Sequence, residues 1–98
     1  MSEHWSVYIV RSSLGHLYTG ITTDVTRRVQ QHNDGKGAKA LKGKAPIDLL
    51  WTEIVGDRSY ASRVEALIKR QSRTQKIALV DGQVQLSQWL LELDRKVP

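Results

Sequence analysis

The sequence predicts an α+β fold, in which a small three-stranded antiparallel sheet is flanked by helices in the order β-β-α-β-α-α-α. Two β-prone runs near the start are separated by a turn signal, and a third apolar run follows Pro46. The segments between and after these runs repeat their apolar residues every three or four positions, as amphipathic helices do. A chain of 98 residues has the length of one domain with one small core, so residues 1–98 are assigned to a single domain.

The first two strands are predicted at Trp5 to Arg11 and at His16 to Thr22. If the turn is a three-residue loop whose last residue, Gly15, is left-handed, Tyr8 lies opposite Gly20. Alternate residues of a strand share a face. One face then carries Tyr8, Val10, Tyr18 and Gly20, whereas the more apolar face, expected to meet the core, carries Val7, Ile9, Leu17 and Ile21.

Two interpretations of the tyrosine face remain open. In the first, Tyr8 and Tyr18 form the floor of a pocket, and Gly20 stands where a side chain would crowd Tyr8. In the second, this is an ordinary half-buried sheet face, and Gly20 marks a bulge or a close backbone approach. A two-residue loop would instead place the tyrosines on opposite faces.

A helix is predicted from Thr23 to about Asn33, where Asp34 and Gly35 follow. Its inward stripe carries Val25, Val29 and His32, with Arg28 among them. A guanidinium and an imidazole at this face are costly to bury unless they serve an anion or a carboxylate. Alternatively, Arg28 extends to solvent and His32 only caps the helix end.

A mobile basic loop is expected next, because glycines and lysines interleave over about ten residues. Its lysines are Lys36, Lys39, Lys42 and Lys44. Lysines on such a loop can follow phosphates without reading bases, which supplies affinity rather than sequence choice. The alternative is a solvated loop that only keeps the protein soluble.

The third strand is predicted at Ile47 to Val55, with enough apolar surface to be central in the sheet. A helix capped by Asp57 or Ser59 should then run to about Arg73. Its inward side is expected to carry Ala61, Val64, Leu67, Ile68 and Gln71.

The rest of the chain is predicted to close the core. A short helix is expected at Lys76 to Val80, a break at Asp81 and Gly82, and then an amphipathic helix that contains Leu86, Trp89, Leu90 and Leu93. A partner docking on the Trp89 helix is a further possibility that the sequence permits.

Glu65 stands out because it is the only acid between Asp57 and Asp81, in a segment with six basic residues. It lies one helical turn from the inward positions of its helix. Either it is a carboxylate at a buried edge, or it forms a salt bridge with a neighbour such as Arg63 or Lys69.

Composition excludes several kinds of site. There is no cysteine, which rules out disulfides, thiolate metal sites and thiol nucleophiles and fits a reducing compartment. No run of about 18 apolar residues and no leader pattern occurs, so we expect a soluble, cytoplasmic protein without a membrane partner.

The net charge indicates the kind of partner. Lys plus Arg exceed Asp plus Glu by 15 to 10, and most of this excess lies within the first 44 residues. A basic protein of this kind favours nucleic acid as the partner.

Four segments together resemble the GIY-YIG nuclease superfamily, in particular its small single-domain bacterial members of the YhbQ type. These are SVY, YTG ten residues later, DVTRRVQQHNDGKGAKA and EALIKRQSR, in the expected order. Both tyrosines and the final glycine of the two short motifs are retained, whereas Ser6 replaces the first glycine. Some superfamily members use a late asparagine, and the only asparagine here is Asn33.

The resemblance implies phosphodiester hydrolysis with a single divalent cation, Mg²⁺ or Mn²⁺. It assigns Tyr8 as general base, Tyr18 as the residue that orients water or phosphate, and Arg28 as the phosphate ligand. His32 would relay a proton or fix a tyrosine, and Glu65 would hold the cation. Arg28 and the cation are expected to favour the phenolate of Tyr8.

The implied activity is that of a DNA endonuclease of low sequence specificity, with structure selectivity as an option, in DNA repair or processing. Nucleic-acid contacts are expected from Arg27 and Lys69 together with the four loop lysines, and Gly20 is expected to be structural. RNA remains an alternative substrate, and target choice could depend on a protein partner. The alternative function is a catalytically weak or inactive nucleic-acid-binding module.

Overall fold

The computed structural model describes residues 4–95; the predicted domain 1–98 therefore includes terminal residues that lie outside the described ones. The elements are β1 Trp5–Arg11, β2 Leu17–Thr22, α1 Val25–Asn33, a 3₁₀ turn Lys39–Leu41, β3 Asp48–Gly56, α2 Arg58–Lys69, α3 Arg73–Val80 and α4 Leu86–Arg95. The strands form one antiparallel sheet in the order β2-β1-β3. The predicted fold class and element order are confirmed.

The hairpin between β1 and β2 has the predicted register. Gly15 adopts a φ of 83°, and the backbone N–H of Ser12 donates to the carbonyl oxygen of His16 at 2.9 Å, which closes the three-residue loop. Tyr8 pairs with Gly20, and Val10 with Tyr18. The two tyrosines therefore share one face, because the turn is a three-residue loop and not a two-residue one.

The two faces of the sheet pack against different elements. Val7 and Ile9 are fully buried in the main core with residues of α2 and α4, as predicted. The α2 and α4 members of that core are Ala61, Val64, Leu67, Ile68, Leu86 and Leu93. A second, smaller cluster covers the opposite face, where Tyr8 and Val10 pack with Leu41 and Ile47.

The prediction that the third strand is central is wrong, since β1 occupies that position. All five residues from Ser6 to Val10 are buried, whereas no residue of β3 is, and Leu49 and Ile54 are exposed. A central strand is covered by neighbours along both edges, and here it is also covered on both faces. The apolar residues of β3 therefore mark a partly covered edge strand.

The second helix ends earlier than predicted. It stops at Lys69, and a separate helix, α3, begins after Ser72, whose hydroxyl accepts from the backbone N–H of Gln75 at 3.2 Å. Asp57 caps α2, as expected, by accepting from the N–H of Tyr60 at 2.8 Å. The prediction of one helix to Arg73 overlooked Ser72 as the N-cap of a separate helix that begins after α2 has ended.

The remaining predictions for α4 hold, and Trp89 packs, partly buried, against the main core. Its position supports core closure and gives no support to a docking role. None of the helices between residues 4 and 95 is both long and apolar enough to span a membrane. The basic loop has more structure than predicted, because Leu41 in its 3₁₀ turn is buried in the cluster around Tyr8.

Candidate active site

Three aromatic rings form a triangle on the face of the sheet away from the main core. The ring centres of Tyr8 and Tyr18 are 6.5 Å apart, and the ring of His32 lies 5.8 Å from the first and 5.6 Å from the second. We call these three residues the aromatic cluster. Tyr8 and His32 are each only 1% exposed, whereas Tyr18 is partly exposed. Two of the five residues predicted for the site, Tyr8 and His32, therefore lie below the surface.

Two glycines leave room for the cluster. A Cβ atom at position 20 would overlap the hydroxyl of Tyr8, and one at position 37 would overlap the ring of His32. Neither glycine has a positive φ, so the requirement is one of space and not of backbone conformation. The pairing of Gly20 with Tyr8 was anticipated from the hairpin register. Gly37 was missed, because it is distant in sequence from Tyr8 and resembles any other loop glycine.

The hydrogen bonds of His32 fix its tautomer. Its Nε2 lies 2.7 Å from the Tyr8 hydroxyl oxygen, and its Nδ1 accepts from the backbone N–H of Ala38 at 3.2 Å. An N–H can only donate, so Nδ1 of the neutral ring carries no proton and Nε2–H must donate to Tyr8. His32 therefore does not cap the end of α1, which was the alternative considered for it.

Burial dominates the ionisation of this pair. It raises the pKa of Tyr8 above the usual 10.0; Arg28 acts in the opposite direction, and Tyr18 and Glu65 raise the pKa further. Burial, followed by the charge of Arg28, lowers the pKa of His32 below 6.5. The expectation that Arg28 favours the phenolate has the right sign, but desolvation outweighs it. At neutral pH, without a bound cation, Tyr8 is a phenol and His32 is uncharged.

Arg28 lies at the edge of the cluster, half-buried, and influences the pKa of both Tyr8 and His32. Its Nη1 donates to Oε1 of Gln31 at 3.1 Å. Within the described chain it forms no ion pair with a carboxylate. The N–H groups that Gln31 and Tyr8 do not engage are available to an anion, for which a planar guanidinium is well suited.

Glu65 forms a salt bridge with Lys69 at 3.4 Å, one of the two arrangements considered for it. Its side chain is 22% exposed, and its charge contributes to the raised pKa of Tyr8. Lys69 in turn lies over the ring of Tyr18, with Nζ 6.0 Å from the ring centre. The pair therefore connects α2 to the aromatic cluster.

The donor set fits only one class of metal ion. No group of three or more His, Cys, Asp or Glu converges among the side chains that the structure describes, and these side chains do not fit a zinc site or a calcium cage. Mg²⁺ keeps most of its waters and is often held by one or two carboxylates together with the oxygens of a phosphate. A partly exposed carboxylate such as Glu65 fits that requirement, and Mn²⁺ has similar ligand preferences.

Asn33 has a structural role that the sequence did not reveal. Its amide donates to the carbonyl oxygens of Ile47 at 3.1 Å and Val29 at 3.2 Å, and its Oδ1 accepts from the N–H of Ile47 at 2.8 Å. Asn33 thus fastens the end of α1 to the residue before β3. The loop that is closed in this way supplies the N–H of Ala38 that fixes His32.

The predicted nucleic-acid ligands lie at the surface around these elements. Arg27, Lys69 and three of the four loop lysines are exposed, and Lys44 is partly buried. The loop lysines flank Leu41, which packs against the cluster containing Tyr8. The contact of Leu41 thus holds the middle of the basic loop on the same side of the sheet as the aromatic cluster.

Comparison with known proteins identifies the family of this chain. Residues 4–78 match the GIY-YIG catalytic domain. A UPF0213 protein of Pectobacterium carotovorum is 51% identical over 90 residues, which cover 87% of this chain and 91% of that protein. The UPF0213 protein YhbQ of Escherichia coli is 53% identical over 76 residues, or 78% of this chain and 76% of YhbQ.

A solved structure shows the same fold. The solution NMR structure of a UPF0213 protein from Bacillus halodurans superimposes with a TM-score of 0.52 at 41% identity, covering 80% of this chain and 83% of that one. The matched domain includes every residue of the aromatic cluster, Arg28 and Glu65. The chain therefore belongs to the GIY-YIG family of nuclease domains, as a relative of the UPF0213 proteins.

Proposed function

We propose that this protein is a metal-dependent endonuclease that hydrolyses phosphodiester bonds in DNA with low sequence specificity. Membership of a nuclease family supports the reaction class. The observation that carries the proposal is the hydrogen bond from Nε2–H of His32 to the oxygen of Tyr8, beside an arginine without a carboxylate partner. A role in DNA repair or processing in the cytoplasm fits this chemistry and remains a prediction from the sequence.

Tyr8 would act as the general base. Because Nε2–H of His32 is already directed at the phenol oxygen, it would stabilise a phenolate there. Arg28 lowers the pKa of Tyr8 and would contribute in the same direction. A divalent cation at Glu65 would supply positive charge that offsets both burial and the carboxylate.

Arg28 would bind the scissile phosphate. Its free N–H groups would meet the negative charge that develops on the phosphate oxygens during hydrolysis. Tyr18 is the more exposed tyrosine of the cluster and would orient the attacking water or a phosphate oxygen. Because Tyr8 is almost fully buried, a substrate water reaches it only through movement of the side chains at the rim.

Sequence specificity is expected to be low, because the proposed ligands outside the cluster are lysine and arginine side chains. Such groups contact phosphates, which are the same at every base pair. RNA has the same phosphates and is not distinguished by these contacts. Any preference for a particular DNA structure, or a partner that selects the target, would be additional to this binding.

A plasmid assay tests this proposal, with Glu65→Gln as the test variant and Glu53→Gln as its control. Glu53 is an exposed acid on β3, outside the site. We expect wild type and Glu53→Gln to nick supercoiled plasmid in Mg²⁺ and not in EDTA, and Glu65→Gln to be slower by about 10²-fold or more. Equal rates in both variants, or nicking in EDTA, would point to a contaminating nuclease.

A nucleic-acid-binding module without activity is the second candidate, and one observation favours it. Tyr8 is 1% exposed and its pKa is raised, which is the opposite of what a base needs in the metal-free protein. This candidate predicts DNA binding by the wild type with no nicking in either Mg²⁺ or Mn²⁺. Nicking that depends on Glu65 would exclude it.

A further inference from the structure

A cavity of about 390 Å³ lies beside the aromatic cluster. Its walls come from the first residue of β1, the end of β2, the two residues before α1, one side of α1 and the first residue of α2. Arg28 belongs both to this cavity and to the surroundings of Tyr8, whose pKa it lowers. The cavity therefore adjoins the candidate active site at Arg28, although Tyr8, Tyr18, His32 and Glu65 do not line it.

The charge of the cavity is unbalanced. It is lined by Arg27, Arg28 and Arg58, against one carboxylate, that of Asp24. Asp24 is engaged as the N-cap of α1, where it accepts from the N–H of Arg27 at 3.1 Å. None of the three arginines forms an ion pair with a carboxylate whose side chain the structure describes. Three guanidinium groups around one small volume repel one another unless an anion lies between them.

Arg58 is oriented by an aromatic ring. Its guanidinium carbon lies 5.6 Å from the centre of the Trp5 ring, which forms another wall of the cavity. Such contacts use the face of the guanidinium and leave its in-plane N–H groups for an anion. The indole Nε1 of Trp5 is buried and has no hydrogen-bond partner among the described residues, so this wall also retains an unused donor.

We propose that this cavity binds a backbone phosphate of the nucleic acid, next to the one that meets Arg28, with Arg58 and Arg27 as its ligands. The inference rests on the proposed nucleic-acid substrate. A strand carries one phosphate per nucleotide, so a strand whose scissile phosphate contacts Arg28 presents another one nucleotide away. The N-termini of α1 and α2 lie at the cavity and add favourable partial positive charge.

This phosphate contact would fix where a bound strand lies relative to Tyr8. The basic loop approaches the cluster through Leu41, whereas the cavity lies where β1 and α2 begin. A strand that contacts the basic loop, Arg28 and the cavity would be bound in one direction. A single phosphate contact would leave that direction open. Arg58 is thus a positioning residue that acts through the substrate backbone.

The test compares Arg58→Gln with Arg63→Gln. Arg63 is on the same helix, lies 6.0 Å from the ring centre of Tyr60 and does not line the cavity, so both variants lose one charge from an arginine that contacts an aromatic ring. Binding to a fluorescent DNA oligonucleotide is measured by anisotropy in EDTA over a range of salt concentrations. The slope of log K against log salt should fall by about 0.7 to 0.9 in Arg58→Gln and stay at the wild-type value in Arg63→Gln. Equal slopes in the two variants would overturn the proposal.

A second measurement locates the ligand. In ¹H–¹⁵N spectra, the indole signal of Trp5, assigned with Trp5→Phe, should shift on titration with the dinucleotide TpT, which has one phosphodiester. The signal of Trp89, which packs on the core, should not shift, and thymidine, which has no phosphate, should leave Trp5 unchanged. A Trp5 signal that responds equally to thymidine would show stacking of a base and would overturn the phosphate assignment.

Failure of this inference is distinguishable from failure of the proposed function, because binding is measured without metal. If the wild type never nicks plasmid but Arg58→Gln lowers the salt slope, the phosphate site stands and the hydrolase does not. If the wild type nicks plasmid but Arg58→Gln matches Arg63→Gln, the phosphate site is wrong and the hydrolase stands.

Discussion

The imidazole of His32 has both of its nitrogens engaged inside the protein. One accepts a backbone N–H from the basic loop and the other donates to Tyr8, so the ring cannot change tautomer without losing a hydrogen bond. Protonation of Nδ1 would make it a donor facing the backbone N–H of Ala38, so the hydrogen bond between them would be lost. The neutral ring is thus part of the folded structure and not a freely titrating group.

This arrangement predicts a pH dependence of stability. The folded pKa of His32 is below its unfolded value of about 6.5, so the unfolded chain binds the proton more readily. The stabilisation is fully present above about pH 6.5 and is lost as the pH falls through the lower folded value. Urea denaturation should therefore show a larger loss of unfolding free energy on acidification in wild type than in His32→Gln. The same loss of unfolding free energy in both proteins would contradict this prediction. So would a pKa of His32 above 6.5 measured by NMR in the folded protein.

At the scale of elements, the segment between α1 and β3 is held at two points. Leu41 is buried against the second cluster, and Asn33 hydrogen-bonds to both backbone groups of Ile47. Gly37 and Ala38, which contact His32, lie between Asn33 and Leu41 in the chain. The position of the His32 imidazole is thus set by the loop as well as by its own helix.

Asn33→Ala should lower the unfolding free energy by about 1–3 kcal/mol, because it leaves partly buried backbone groups of Ile47 without partners. The control is Gln30→Ala, which removes an exposed hydrogen bond to Asp34 on the same helix and should change stability by less than about 0.5 kcal/mol. Chemical denaturation of both variants measures the difference. Equal stability of the two variants would show that the Asn33 contacts are not structural.

The basic loop gives a separate prediction about affinity. Replacement of Lys36, Lys39, Lys42 and Lys44 by Gln should weaken DNA binding for all sequences. It should also reduce the salt slope by about 0.7 to 0.9 for each phosphate contact that is lost. Anisotropy titrations with two unrelated oligonucleotides would measure both effects. An unchanged slope would indicate that the loop is only a solvated surface segment.

Local signals predicted the elements that position the tyrosines, but not those that depend on distant contacts. The glycine at the end of the first turn fixed the register of β1 and β2, and so placed Tyr8 beside Gly20. By contrast, β3 is as apolar as a central strand, and its edge position follows from the pairing of β1 with both neighbours. The contacts of Gly37, Ala38 and Asn33 join segments that are remote in sequence, so no local pattern revealed them.

At the scale of the whole molecule, β2 lies at the edge of the sheet, so side chains from one face can reach residues on the other face around that edge. α2 packs on the main-core face, yet Lys69 of α2 lies over Tyr18, which belongs to the aromatic cluster on the other face. Glu65, paired with Lys69, is brought near the cluster in the same way. One small domain thus brings a carboxylate, a guanidinium and two phenols close together.

The most direct test of the account is the nicking rate of Tyr8→Phe beside that of Tyr60→Phe. Both variants keep the ring and lose one hydroxyl, but Tyr60 lies on α2 outside the aromatic cluster. With supercoiled plasmid in Mg²⁺, we expect Tyr8→Phe to be slower than wild type by about 10²- to 10⁴-fold, the usual cost of losing a general base, and Tyr60→Phe to match wild type. DNA binding should be retained in both. A Tyr8→Phe protein that nicks as fast as wild type, from an identical purification, would contradict the assignment of Tyr8 as the base.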